Sequence, residues 1–180
     1  MFSMVKNEID FIEKFLGHNV PIFDKVIIID NGSDDGTLDV LHSWKSESFS
    51  VIEFPGSFRK KGPILSEEMN KVDADILFPV DGDELIIYDN GDRVSRKTST
   101  IREYLQNLEL CPDGCRYRVR ETYQKLPNSD EEWAIKKISK VFFTKKAFEG
   151  TDTGNHGGRM SWDAPLHYIR HIILRLQISK

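Results

Sequence analysis

The chain reads as an α/β protein, a mostly parallel sheet with helices on both faces, and three observations carry that reading. Short apolar runs alternate with helical patterns through the first half of the sequence. The runs are rich in Val, Ile and Phe without polar alternation, as strands buried on both faces are. The chain has 180 residues, 39% of them hydrophobic, enough for one buried core and few enough for a single domain.

In chain order, "MFSMV" is the first expected strand. Asn7 can cap a helix whose apolar residues Ile9, Ile12 and Leu16, with Phe11 and Phe15, recur at three-to-four spacing, and Gly17 supplies its stop. "KVIII" is the second strand, and a helix after "DDGT" carries Leu38, Leu41 and Trp44 on one stripe. "FSVIEF" is the third strand, a third helix covers "PILSEEMNKV", and "DILFPV" is the fourth strand. Strand and helix in strict alternation predict parallel pairing, and parallel sheets place ligands at the carboxyl ends of their strands. Further on, Arg116, Arg118 and Arg120 alternate with Tyr117 and Val119, the period of a half-buried strand with one basic face.

Charge excludes some partners. A net charge of -4 gives no overall basic field for nucleic acid or anionic lipid, so a polyanionic ligand must be held locally. The start, "MFSMVKNEIDF", lacks a basic leader followed by an apolar run of about 7 to 15 residues, and no segment reaches the roughly 18 apolar residues of a membrane span. The expected compartment is the cytoplasm. Cys111 and Cys115 bracket "CPDGC"; without a second Cys pair they read as two reduced thiols with no role.

Two acidic loops stand where ligands are expected. After "VIII" the chain runs into "DNGSDDGT", so Asp30, Asn31 and Ser33 emerge at a strand's carboxyl end, while the next helix offers free backbone N–H groups. The same residues are also ordinary turn and cap formers. A calcium loop is excluded: counted from Asn31, the twelfth position is His42 where a bidentate Glu is needed, and a strand rather than a helix precedes the loop. After "ILFPV" comes Asp81-Gly82-Asp83-Glu84. Two carboxylates one residue apart can converge on a divalent cation, and hard oxygen donors favour Mg2+ or Mn2+; the alternative is a solvated turn.

With "MVKNEIDFI", "VIIIDNGSDDGT" and "LFPVDGDELI" in this order, the chain resembles the family 2 glycosyltransferases of the GT-A fold, in the branch with VKNE, DNGSxDGT and DxDE motifs. The later stretches "KKISKVFF", "GNHGGR" and "PLHYIRH" are similar to that branch's Lys-containing strand, "GNH" turn and "HYxxR" segment. The resemblance implies one domain over residues 1–180, with a Rossmann-like nucleotide-sugar-binding half at 1–90 and an acceptor-side half with a smaller β region at 91–180. It implies metal-dependent transfer of a sugar from a nucleoside diphosphate sugar to a hydroxyl of a glycan or other acceptor, with inversion. UDP-sugars are the commonest donors in the family, and cell-surface polysaccharide synthesis is a common setting.

The resemblance also implies residue roles. Asp30 contacts the base or ribose, with Asn7, Glu8 and Asn31 beside the same pocket, and Lys61 in "FRKKGP" contacts the nucleotide. Asp83 binds Mn2+ or Mg2+ directly, and Asp81 approaches the ribose or the metal shell. His167 would complete the metal shell, with His156 as a ligand or acceptor contact. For the base, Asp130, Glu131, Glu132, Glu149 and Asp152 are candidates, and Asp152 is chosen because it lies beside "GNH". Two other readings stay open: a non-catalytic nucleotide-sugar or glycan-binding module, and a sugar-phosphate nucleotidyltransferase, for which "MVKNEIDF" lacks the Gly-rich basic loop. The terminal "HYIRHIILRLQISK" is expected to form a helix docked on the core, with peripheral membrane contact as the alternative.

Overall fold

The computed structural model describes residues 1–119, 122–125, 133–136, 140–154, 158–159, 163–167 and 169–173. The first half has the expected alternation: β1 (Phe2–Val5), α1 (Ile12–Asn19), β2 (Val26–Asp30), α2 (Thr37–Ser43), β3 (Phe49–Glu53), α3 (Lys61–Lys71) and β4 (Ile76–Leu77). Then come β5 (Glu84–Asp89), β6 (Val94–Ser95), α4 (Thr98–Gln106), β7 (Arg116–Val119), β8 (Thr122–Lys125), β9 (Trp133–Lys136) and β10 (Val141–Thr144). The last described strands are β11 (Gly150–Thr151), β12 (Gly158–Arg159), β13 (Asp163–His167) and β14 (Ile169–Ile173).

β1, β2 and β3 form a parallel sheet with β2 in the middle. On the free side of β1, Phe2 bridges Pro79 in parallel, with Phe2 N–H donating to the Phe78 carbonyl and Val80 N–H to the Phe2 carbonyl, both at 2.9 Å. This joins the free edge of the sheet to the segment that follows β4; β4 itself pairs antiparallel with β10, β10 antiparallel with β7, and β7 parallel with β13. A second sheet has the order β6-β5-β14-β8-β9. Pairings of β4 with β10 and of β5 with β14 therefore join the two halves of the chain.

Period-two alternation divides the core between two faces. Val5, Val26 and Ile28 pack with Ile12, Phe15 and Leu16 of α1 and with Ile101 and Leu105 of α4. Phe2, Met4, Ile27 and Ile29 point the other way, against Leu65 and Met69 of α3. Apolar area removed from water on both faces explains why these strands carry no polar alternation. The first face continues through three stacked rings, Phe78 on Phe142 at 4.9 Å and Phe142 on Tyr117 at 4.7 Å. Tyr117 and Val119 are buried and Arg118 exposed, as the alternation predicts; Arg120 lies outside the described residues.

Several local expectations are corrected. Asn7 does not cap α1, which starts at Ile12 and runs through Gly17 to Asn19. Asn7 sits instead at φ +54°, tied to the neighbouring loop, and Ile9 is 40% exposed rather than on the core face. Cys111 and Cys115 are joined in a disulfide, not free. The Pro112-Asp113-Gly114 turn, closed by Gly114 N–H on the Cys111 carbonyl with Gly114 at φ +84°, brings their Cα atoms to 6.0 Å, within bridging range. The start of the terminal apolar segment is a strand rather than a helix. Ile169, Ile172 and Ile173 belong to β14, inserted between β5 and β8, a place suited to β-branched residues. Residues 174–180 lie outside the described residues. Among the described residues no helix is long and apolar enough to cross a membrane.

Candidate functional site

The acidic loop after β2 is held by its own carboxylates. Asp30, only 1% exposed, accepts from Gly32 N–H at 3.0 Å, Ser33 N–H at 2.9 Å and the Ser33 hydroxyl at 2.5 Å. Asp35 accepts from the Thr37 amide and hydroxyl and from Ile9 N–H. Asn7 and Asp34 exchange two hydrogen bonds: the Asn7 amide donates to Asp34 at 2.8 Å, and Asp34 N–H donates to Asn7 Oδ1 at 3.0 Å. Glu8 N–H donates to the Thr37 hydroxyl at 2.8 Å. Asn31, 2% exposed, donates its backbone N–H to the Val5 carbonyl at 2.9 Å. Together these contacts strap residues 7–9 against residues 33–37. This fixes the chain that leaves the carboxyl ends of β1 and β2, the edge where a parallel sheet places its ligand.

Partial desolvation pushes the Asp35 carboxyl up, but its hydrogen bonds from Thr37 and Ile9 outweigh this and hold it below the usual carboxylate range.

A cleft of about 570 Å³ opens beside that strap. Lys6 and Glu8 line it from the end of β1, Phe58 and Lys61 from the start of α3, Asp81 and Asp83 from the loop after β4, with Thr153 and Gly154 on its far rim. Of the residues that the sequence marks as candidates, Glu8, Lys61, Asp81 and Asp83 thus come together on one cleft. Asn7, Asp30 and Asn31 are not among the residues that line it; Asn7 is exposed, and Asp30 and Asn31 are buried. Asp152 is exposed and adjoins the Thr153–Gly154 rim. His156 lies outside the described residues; His167 is placed by its backbone at the end of β13, in register with Val119.

Asp81 is the centre of an ion cluster. One of its oxygens takes the ammonium of Lys61 and the other that of Lys140. Lys140 also lies 3.4 Å from Glu84 and donates to the Gly154 carbonyl at 2.8 Å. Lys61 is 2% exposed, Lys140 5% and Glu84 2%, so charge here is paired because it is nearly desolvated. Burial pushes the Asp81 carboxyl up, but the ammonium groups of Lys61 and then Lys140 outweigh it and hold it below the usual carboxylate range. Desolvation likewise works against the Lys140 ammonium, but Glu84 and then Asp81 more than offset it, keeping its pKa above the ordinary lysine value.

Lys140 and Glu84 are site residues to which the sequence assigns no role, although Glu84 stands in the second acidic loop. The Lys-containing stretch "KKISKVFF" is the available signal, but only the pairing of β10 with β4 shows which of its lysines faces Asp81. Glu84 is set by α1: the Asn19 side chain donates to the Glu84 carbonyl at 2.8 Å and accepts from Ile86 N–H at 3.1 Å.

The expected Mn2+ or Mg2+ does not fit Asp81 as the residues stand. Two unit charges about 4 Å apart repel by roughly 4 kcal/mol at an effective dielectric near 20, so a divalent ion would meet about twice that from each neighbouring ammonium. Among the described residues no three His, Cys, Asp or Glu side chains are grouped to hold a metal ion.

No protein family and no curated protein matches the chain. Among solved structures it is similar to residues 1–349 of TarS from S. aureus, at 12% identity and a TM-score of 0.49, over 73% of this chain and 37% of that one. The same protein in complex with UDP-GlcNAc gives 13% identity and a TM-score of 0.47, over 73% and 37%. HddC from Yersinia pseudotuberculosis gives 8% identity and a TM-score of 0.46, over 96% and 92%. The chain spans little more than a third of that TarS structure.

Proposed function

We propose that the chain binds a nucleoside diphosphate sugar in the cleft at the carboxyl ends of β1 and β4 and transfers the sugar, with inversion, to a hydroxyl acceptor. The observation that carries this is the meeting of Glu8, Lys61, Asp81 and Asp83, from three separate segments, on one cleft at the ligand edge of a parallel sheet. Two of these segments, that of Glu8 and that of Asp81 and Asp83, also carry glycosyltransferase-like motifs of the sequence. Asp30 serves the nucleotide side by tying the loop on which the base and ribose would rest.

In the proposed reaction the acceptor oxygen bonds to the anomeric carbon as the bond from that carbon to the diphosphate oxygen breaks. The acceptor proton passes to a carboxylate, for which the exposed Asp152 beside the cleft rim is our candidate. Negative charge collects on the leaving diphosphate, so positive charge fixed in the cleft favours the transition state over the ground state. A divalent cation, if used, would fall to Asp83 rather than Asp81.

The test is incubation of the chain with UDP-sugars and a panel of hydroxyl acceptors, with and without Mn2+, reading nucleoside diphosphate release and the glycosylated product. Acceptor-dependent release that Asp152→Asn and Asp83→Ala abolish is the expected result. Tight donor binding without any release would favour a non-catalytic binding module.

A further inference from the structure

We propose that the Lys61 ammonium is the group that takes the diphosphate, that Asp81 is its anchor rather than a metal ligand, and that Lys140 positions the pair. This rests on the nucleotide-sugar reading above and names the source of charge within it.

Three observations support it. Lys61 lines the cleft, whereas Lys140 stands behind Asp81. An ammonium has three N–H donors. Lys140 directs its own at Asp81, Gly154 and Glu84, while among the described residues Lys61 has one acceptor, Asp81, and lies 5.4 Å from the Phe58 ring centre. Lys61 therefore keeps donors to offer a ligand on the cleft side.

Both Asp81 oxygens are engaged by ammonium groups, so a cation could bind there only by driving out a nearly buried lysine. Lys61 also stands at the first residue of α3, and its nearly buried side chain is held by its ion pair with Asp81. Such a group meets growing charge on the leaving diphosphate without rearranging. Lys140 neutralises Asp81 and Glu84 together. Without it, Lys61 would be drawn wholly into balancing buried carboxylates.

The experiment is calorimetric titration with inorganic pyrophosphate and with UDP, first in EDTA and then in Mn2+, on the unaltered chain, Lys61→Gln and Lys61→Arg, with folding checked by far-UV circular dichroism. Expected are binding of both probes in EDTA, a loss of at least tenfold in Lys61→Gln, and recovery of most of it in Lys61→Arg. In parallel, Mn2+ uptake read by electron paramagnetic resonance should be the same in Asp81→Asn as in the parent. Binding that needs Mn2+, together with loss of Mn2+ uptake in Asp81→Asn, would overturn the inference and leave the proposed function standing. Unweakened binding by Lys61→Gln would overturn it too. If neither probe binds in either condition, both readings fall. The titrations on the unaltered chain decide the matter even if a variant does not fold.

Discussion

Lys140 reaches across 59 residues of sequence to place its ammonium on the carboxylate of Asp81, and the same nitrogen lies 3.4 Å from Glu84. That contact ties the loop after β4 to the strand β10 beside it. Removing the charge while keeping the volume, as in Lys140→Met, leaves two poorly hydrated carboxylates short of a cation. We expect a loss of about 3 kcal/mol or more, the usual cost of breaking a buried pair from one side. Urea denaturation reads it directly, and an unchanged midpoint would show that the cluster is far better hydrated than its burial indicates.

Gly62 is a packing constraint on the same site. A Cβ there would meet the Thr151 carbonyl oxygen at 2.9 Å, the Asp152 carbonyl carbon at 3.0 Å and the Thr153 nitrogen at 3.1 Å. All three are backbone atoms, which yield less easily than a side-chain tip. Gly62→Ala should therefore cost about 1 to 3 kcal/mol and shift the segment that carries Gly154 to Lys140. Thermal melting measures the first effect, and weaker UDP binding the second. A variant as stable as the parent would mean that residues 151–154 move aside freely.

Asn7 combines a left-handed backbone with a paired side chain. Asn7→Gly removes the two bonds shared with Asp34 but relieves the backbone, while Asn7→Ala removes the same bonds and keeps the strained φ of +54°. Alanine should be the more destabilising by about 1 kcal/mol. Equal melting temperatures for the two variants would remove the backbone from the account.

Acid should weaken the strap through Asp35. Its folded pKa is depressed, so its contribution is present above the unfolded carboxylate range, near pH 4, and is lost as pH falls through the lower folded value. Asp35→Ala should cost about 1 kcal/mol at neutral pH, as for loss of a helix cap, and the gap from the parent should close below about pH 4. Stability curves measured from pH 7 to pH 2.5 would show this convergence, and a gap constant over that range would contradict it.

The alternation of "MFSMV", "KVIII", "FSVIEF" and "DILFPV" with helical spacing determined the parallel half of the fold, because a strand apolar on both faces has few other places to go. Those runs also pointed to the loops after them as the ligand edge, and Glu8, Lys61, Asp81 and Asp83 do share one cleft. What the residues of those loops do was not legible. Asp30, Asp34 and Asp35 are local hydrogen-bond acceptors as readily as ligand contacts, and only the position of Ser33 on Asp30, Asn7 on Asp34, and Ile9 and Thr37 on Asp35 shows that they are engaged within the protein. The same limit applies to "HYIRHIILRLQISK", where mixed Ile, Leu and Arg suit a helix or a strand until β5 and β8 supply two edges for Ile169–Ile173. Tertiary structure alone decided that Asp81 meets Lys61 and Lys140, since ion pairing in a desolvated cleft depends on distance in space and burial, neither of which spacing along the chain encodes.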